Sequence, residues 1–171
     1  FENRKKRTQL SELVELALNR QKTRHIHHKR ASTVKSLGDD AAVLDYQGQK
    51  ILVSTDLLIE GVHFDLTFTP LKHLGYKAAV VNFSDIAAMN AFPSQLTLSI
   101  AVSNRFSLEA IEEIYSGIYM ACARYKADLI GGDTYSSVIG LMMSLTVLGA
   151  ADEGDITYRD TARSGNLICV S

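Results

Sequence analysis

From Lys50 onward the apolar and polar positions fall into regular patterns. Residues 95–103 alternate cleanly, Leu96, Leu98, Ile100 and Val102 against Gln95, Thr97, Ser99 and Ala101. That period of two predicts a half-buried strand. Residues 50–55 (KILVST) read as a strand ending at Asp56, and residues 127–131, 139–148 and 167–170 read as three more. Residues 71–91 are mostly small and helix-permitting, although Gly75 counts against a helix. Ser107 suits the N-cap of a helix with the apolar stripe Leu108, Ile111, Tyr115, Ile118 and Cys122. A short helix is expected over residues 10–18. Strands and helices alternate along the chain, which predicts an α/β or α+β domain. No internal repeat or low-complexity stretch interrupts the pattern.

Composition supports a packed domain. Of the 171 residues 46% are hydrophobic and 22% charged, enough apolar side chain for a core and not the balance of a disordered chain. No apolar run approaches the ~20 residues needed to span a bilayer, and the N-terminal stretch lacks the pattern of a secretory signal. Cys122 and Cys169 stand far apart in apolar surroundings, as buried thiols of a reducing compartment. A cytoplasmic protein without membrane association is expected.

Charge redirects attention to the second part of the chain. Residues 1–35 hold 10 Lys/Arg and 3 Asp/Glu, a net +7, whereas residues 36–171 hold 8 and 16, a net −8. The basic stretch 19–35 lacks the interleaved aromatic residues of a nucleic-acid surface and reads as a solvated segment. Its histidines, His25, His27 and His28, have no flanking thiol or carboxylate to complete a metal site.

The acidic excess gathers in four segments: Gly38-Asp39-Asp40-Ala41-Ala42, Ser54-Thr55-Asp56, Asn82-Phe83-Ser84-Asp85 and Gly131-Gly132-Asp133-Thr134. Each puts a carboxylate at a strand end or in a small-residue helix, where folding does not demand one. A pocket collecting Asp40, Asp56, Asp85 and Asp133 would repel itself unless cations sat among them. Hard divalent ions with substrate phosphates suit such oxygen donors. Ser54 and Thr55 can add oxygens, and Gly131 and Gly132 allow close approach of a phosphate. Any one segment also reads as an ordinary turn or cap. No Walker A loop, dinucleotide-binding glycine fingerprint or protein-kinase signature is present, so an ATP site here must be of another type.

In this order and spacing, Gly-Asp-Asp-Ala-Ala-Val-Leu (38–44), Ser-Thr-Asp-Leu-Leu-Ile-Glu-Gly-Val-His-Phe (54–64), Gly-Tyr-Lys-Ala-Ala-Val-Val-Asn-Phe-Ser-Asp-Ile-Ala-Ala-Met (75–89) and Asp-Leu-Ile-Gly-Gly-Asp-Thr (128–134) resemble the thiamine-monophosphate kinases. These belong to the superfamily of aminoimidazole ribonucleotide synthetase. The resemblance runs from Leu37 to Ser171. It implies an α+β fold, a mixed and mainly antiparallel sheet with helices on one face, pairing through its sheet in a homodimer. Residues 1–36 would form an N-terminal helix and basic segment, 37–150 the magnesium- and ATP-binding domain, and 151–171 a linker and the first strand of a second domain cut short.

By matching position the resemblance implies magnesium ligands at Asp40, Ser54, Thr55, Asp56, Asp85 and Asp133, with Asp39 sharing that role or orienting the loop. It implies thiamine phosphate contact at His63, and ATP contacts at Tyr115, Gly132, Asp133 and Arg159. Arg163 competes for the arginine position, but the distance to residues 167–170 favours Arg159. The implied reaction is in-line transfer of the ATP γ-phosphoryl group to thiamine phosphate, giving thiamine diphosphate. It is assisted by several Mg²⁺ ions and positioning, with no dedicated general base. Another ATP-using enzyme of the superfamily, and a non-catalytic, truncated dimerising domain, remain as alternative readings.

Overall fold

A computed structural model of the chain describes residue 17, residues 28–152 and residues 154–167. The helix expected over 10–18, the strand over 167–170 and the basic residues up to 27 lie almost wholly outside these.

Six strands form one sheet: β1 (Thr33–Lys35), β2 (Ala42–Tyr46), β3 (Gln49–Ile59), β4 (Phe92–Val102), β5 (Asp128–Ser136) and β6 (Met142–Ala151). Their order is β1-β2-β3-β6-β4-β5. Every pairing is antiparallel except β4 with β5. Helices α1 (Leu71–Ala88) and α2 (Leu108–Tyr125) complete the fold, with a one-turn 3₁₀ helix at Arg159–Thr161. The architecture is the expected one: a mixed, mainly antiparallel sheet with two helices. Strand β1 starts ahead of the expected domain start at residue 37.

The alternation read from residues 95–103 is present. Leu96, Leu98 and Ile100 are buried, and across the register they meet Val147, Leu145 and Met143 of β6. On β3 the buried positions Leu52 and Leu58 fall in the same set of rows. Helix α1 packs on this face, against β3, β4 and β6. The other face carries Ile51, Val53, Thr55, Leu57 and Ile59 of β3 beside Leu148, Thr146, Ser144 and Met142 of β6. Leu57 is half exposed there.

Three local expectations are corrected. The hairpin β1–β2 was not foreseen. Strand β3 continues through Asp56 to Ile59 because β6 keeps pairing with it as far as Met142. The Gly131-Gly132-Asp133 segment is strand interior and not a turn, held by parallel pairing with Thr97, Leu98 and Ser99.

Helix α2 starts as expected, the Ser107 hydroxyl accepting from the Ala110 amide. Its buried face, however, is Ile114, Gly117, Ile118, Ala121 and Cys122, whereas Leu108 is largely exposed. The reason is the seam with α1. A Cβ on Gly117 would lie 1.9 Å from the Lys72 carbonyl oxygen, and one on Gly75 2.0 Å from that of Ile114. The helices touch backbone to backbone, and the small residues define the contact face.

Candidate active site

The carboxylates divide into two regions. In the first, Ser54 and Asp56 stand two apart on β3, so both share the helix-covered face with Leu52 and Leu58. Asp85 descends from α1 to meet them. The Ser54 hydroxyl donates to Asp85 Oδ2 at 2.7 Å. Burial raises the Asp85 pKa above the usual carboxylate value, repulsion from Asp56 and Asp40 adds to it, and the Ser54 bond and Arg159 oppose it. Asp56 and Asp40 are therefore both near enough to act on Asp85, although the chain separates the three widely.

Asp39 and Asp40 come from the loop between β1 and β2. The Asp39 side chain is only 1% exposed and its oxygens are engaged. The Arg159 backbone N–H donates to both of them, at 3.3 and 3.4 Å, and Lys35 Nζ lies 3.6 Å away. Asp40 accepts the Arg159 guanidinium on both oxygens, Nε reaching Oδ2 at 3.2 Å and Nη2 reaching Oδ1. This pairing raises the Arg159 pKa, the hydrogen bond to Asp40 first and the charges of Asp40, Asp39 and Asp85 after it. Lys35 also binds Asp160 at 3.0 Å and lies 5.4 Å from the Tyr158 ring centre. The Lys35 bond holds the Asp160 pKa down. Arg163 instead sits in a turn closed by its own amide on Asn166.

Thr55, between Ser54 and Asp56, necessarily points the other way. Its hydroxyl bonds the Leu145 carbonyl and the Thr146 hydroxyl, both at 3.0 Å. Its hydroxyl therefore takes no part on the Asp56 side.

His63 lies in the turn that ends β3. Its Nδ1 accepts the Ile59 amide at 3.0 Å, so the ring proton sits on Nε2. Lys77 of α1 donates to its carbonyl oxygen at 3.2 Å. Glu60 fixes the same turn: it pairs with Arg105 and accepts the Leu141 amide at 3.0 Å. Lys35, Glu60 and Arg105 were not among the sequence candidates. Lys35 and Asp160 are 125 positions apart, a pairing that no local spacing signals.

The second region is a cavity of about 600 Å³ between α2 and the edge strand β5. It is lined by Tyr115, Tyr119 and residues 129–134, and so joins Tyr115 to Gly132 and Asp133. Gly132 is tied to the neighbouring strand, since a Cβ there would stand 1.8 Å from the Leu98 carbonyl oxygen, whereas Gly131 meets nothing within 4 Å. The Asp133 carboxylate accepts from the Tyr135 hydroxyl and the Thr134 amide, which lower its pKa.

Asp133 pairs across the sheet with Ser99, in the row of Ser144 and Leu57 and not in that of Asp56. Three strand spacings separate it from β3, roughly 14 Å. Asp133 thus stands with the tyrosine cavity, apart from Asp56 and Asp85. Among the described residues no three His, Cys, Asp or Glu side chains are gathered closely enough to hold one metal ion. No described helix is long and apolar enough to cross a membrane.

Known proteins resemble this chain in sequence and fold. The thiamine-monophosphate kinase of Bacillus subtilis (strain 168) is 36% identical over 149 residues, covering 86% of this chain and 45% of that protein. That of Synechococcus elongatus is 39% identical over 132 residues, 77% of this chain and 40% of that one. A solved structure of AaThiL complexed with AMPPCP and TMP superposes with a TM-score of 0.70 at 29% identity, over 90% of this chain and 44% of that chain. The chain therefore spans less than half the length of these relatives. The family described as AIR synthase related protein, N-terminal domain, matches residues 38–151. With two thirds of its length inside that match and the sheet, helices and register just described, the chain belongs to the AIR synthase related protein family.

Proposed function

We propose that the protein is a thiamine-monophosphate kinase that transfers the γ-phosphoryl group of ATP to thiamine phosphate, giving thiamine diphosphate and ADP. The observation that carries this reading is the convergence on Asp85, from a helix, of Ser54 and Asp56 from a strand and Asp40 from a loop, with the Ser54 hydroxyl bonded to Asp85 and both other carboxylates close enough to repel it. Relatives so named share the stretch that holds them, and AaThiL was solved with AMPPCP and TMP.

Several Mg²⁺ ions are the implied cofactor. Carboxylate oxygens with the Ser54 hydroxyl are the donor chemistry such ions prefer, and burial first and carboxylate repulsion after it raise the Asp85 pKa, both of which a bound cation would offset. Asp40, Asp56 and Asp85 with Ser54 would hold metal, the Thr55 carbonyl completing the set. Bound there, the ions would neutralise charge between two anionic phosphates.

The chain's own groups position the reactants. Arg159 supplies a guanidinium beside the carboxylates for the phosphate chain. Tyr115, Gly132 and Asp133 line the cavity assigned to the nucleotide. His63, with its proton on Nε2, offers an N–H donor to thiamine phosphate. Asp39, engaged by Lys35 and the Arg159 amide, orients the loop that presents Asp40. No side chain is assigned as general base, because the acceptor phosphate is already an anionic nucleophile.

The open sheet face is assigned to homodimer pairing, and the cytoplasm is the proposed location. The test is direct: the full-length protein, given Mg²⁺, ATP and thiamine phosphate, should form thiamine diphosphate and ADP in equal amounts. ADP release that ignores thiamine phosphate but responds to another acceptor would overturn the assignment.

A further inference from the structure

Arg159 is attached to the protein in two distinct ways. Its backbone is pinned by neighbours outside the set Asp40, Ser54, Asp56 and Asp85 proposed to hold metal. The Arg159 amide donates to Asp39, Lys35 binds Asp160, the Thr157 amide donates to the Met89 carbonyl at 3.1 Å, and the Asn90 side chain donates to the Asp155 carbonyl at 2.9 Å. The side chain, by contrast, is 61% exposed, and its guanidinium is bonded to Asp40. That fork occupies both oxygens of the carboxylate that would have to join Asp56 and Asp85 around an ion. Among the described residues, no three carboxylates have closed to ligating distance while the fork is in place.

We propose that the Arg159 guanidinium is an internal counter-ion exchanged for the metal, leaving Asp40 while the backbone of residues 155–161 stays docked. A dication and a guanidinium on one carboxylate repel each other, so binding of one weakens the other. The side chain is long and exposed, and its release breaks no contact that holds the segment. The exchange has a chemical use. It places a freed cation at the edge of the carboxylate cluster as the cluster becomes positive enough to attract phosphate. Lys35 is the positioning residue, since it holds Asp39 and Asp160 together and keeps the arginine within reach of either partner. This inference rests on the metal reading of the proposed function and adds the partner that metal displaces.

Titration of the whole protein with Mn²⁺ alone, followed by calorimetry, tests it without nucleotide or turnover. If the guanidinium competes, Arg159→Gln should bind Mn²⁺ about one and a half to five times more tightly than wild type, the scale of one exposed ion pair removed. Equal or weaker binding by the variant overturns the exchange. Absence of binding by wild type and variant alike removes the metal reading itself, and the exchange with it. The wild-type protein supplies a second readout should the variant fold poorly. On saturation with Mg²⁺ the Arg159 Nε–H resonance should shift strongly while its backbone amide, bonded to Asp39, stays in place. A static Nε–H signal, or loss of both signals together, contradicts the proposal.

Discussion

Replacing Gly117 by alanine tests the helix seam that carries Tyr115 to its cavity. The new Cβ would stand 1.9 Å from the Lys72 carbonyl oxygen and 2.7 Å from the Tyr76 nitrogen. Both obstacles are backbone of α1, so no rotamer change relieves them. The helices must part by about 1 Å, and a gap of that size forfeits a quarter to a half of the dispersion along the contact. Overpacking of this kind costs about 1–3 kcal/mol, and more where backbone must move. The better helix propensity of alanine offsets about 1 kcal/mol. The expected net loss is about 2 kcal/mol, or roughly 4–8 °C in Tm for a chain of this size. Gly75→Ala meets the Ile114 carbonyl from the other side of the same seam and should lose a similar amount. The two should not add. Helices parted once admit the second methyl, so the double variant should lose less than the sum by about 1 kcal/mol. Urea denaturation of the four proteins measures this cycle. Unchanged midpoints in the single variants, or strict additivity in the double, would refute the backbone-to-backbone seam.

Other expectations follow from the site. Asp85 binds its proton more tightly in the folded protein than at its ordinary value of 3.8, so without metal its contribution to stability declines as pH rises through the window above that value. Metal-free Asp85→Asn should therefore melt higher than wild type at pH 7, with the difference closing toward pH 4, and should lose Mg²⁺-dependent nucleotide binding. Unfolding of the variant with nucleotide affinity intact would make Asp85 structural. His63→Ala should raise the KM for thiamine phosphate at least several-fold and leave that for ATP nearly unchanged; equal effects on both would contradict its assignment to the acceptor. The uncovered sheet face predicts a homodimer by sedimentation at tens of micromolar, and Leu57→Asp, at a half-exposed position of that face, should shift it toward monomer. A wild-type monomer would exclude sheet pairing.

What the sequence made legible, and what it did not, follows a physical division. Strand β4 could be read because each of its buried residues is apolar and alternates with a polar one. The start of α2 could be read because the Ser107 cap is local. The face of α2 could not, since hydrophobic periodicity assigns no weight to Gly117 and Ala121, and these small residues let α1 approach. Gly75, counted against a helix on propensity, is a residue on which the helix pair depends. The Gly132 misreading has the same origin: a glycine taken for a turn beside phosphate is a strand residue pressed on the Leu98 carbonyl. The β2–β3 hairpin had one local signal, Gln47-Gly48, both at positive φ, where Asn-Gly would have been more conspicuous.

Arguments about the site divide in the same way. Carboxylates out of place in their elements were recognisable as residue types, and Asp40 and Asp56 do act on Asp85. Which carboxylates share a place depends on register between elements. Asp133 has the right chemistry, yet the parallel β4–β5 pairing sets it in the row of Ser99, on the strand farthest from β3 in the β3-β6-β4-β5 order. Arg159 is 119 positions from Asp40, and the link between them is made by a backbone amide on Asp39 and by Lys35 from the basic stretch that had read as solvated. A carboxylate pair thus does two jobs that its sequence does not separate. Asp39 ties the 158–160 segment down, and Asp40 holds that segment's arginine at the edge of the cluster, where a metal ion would compete for it.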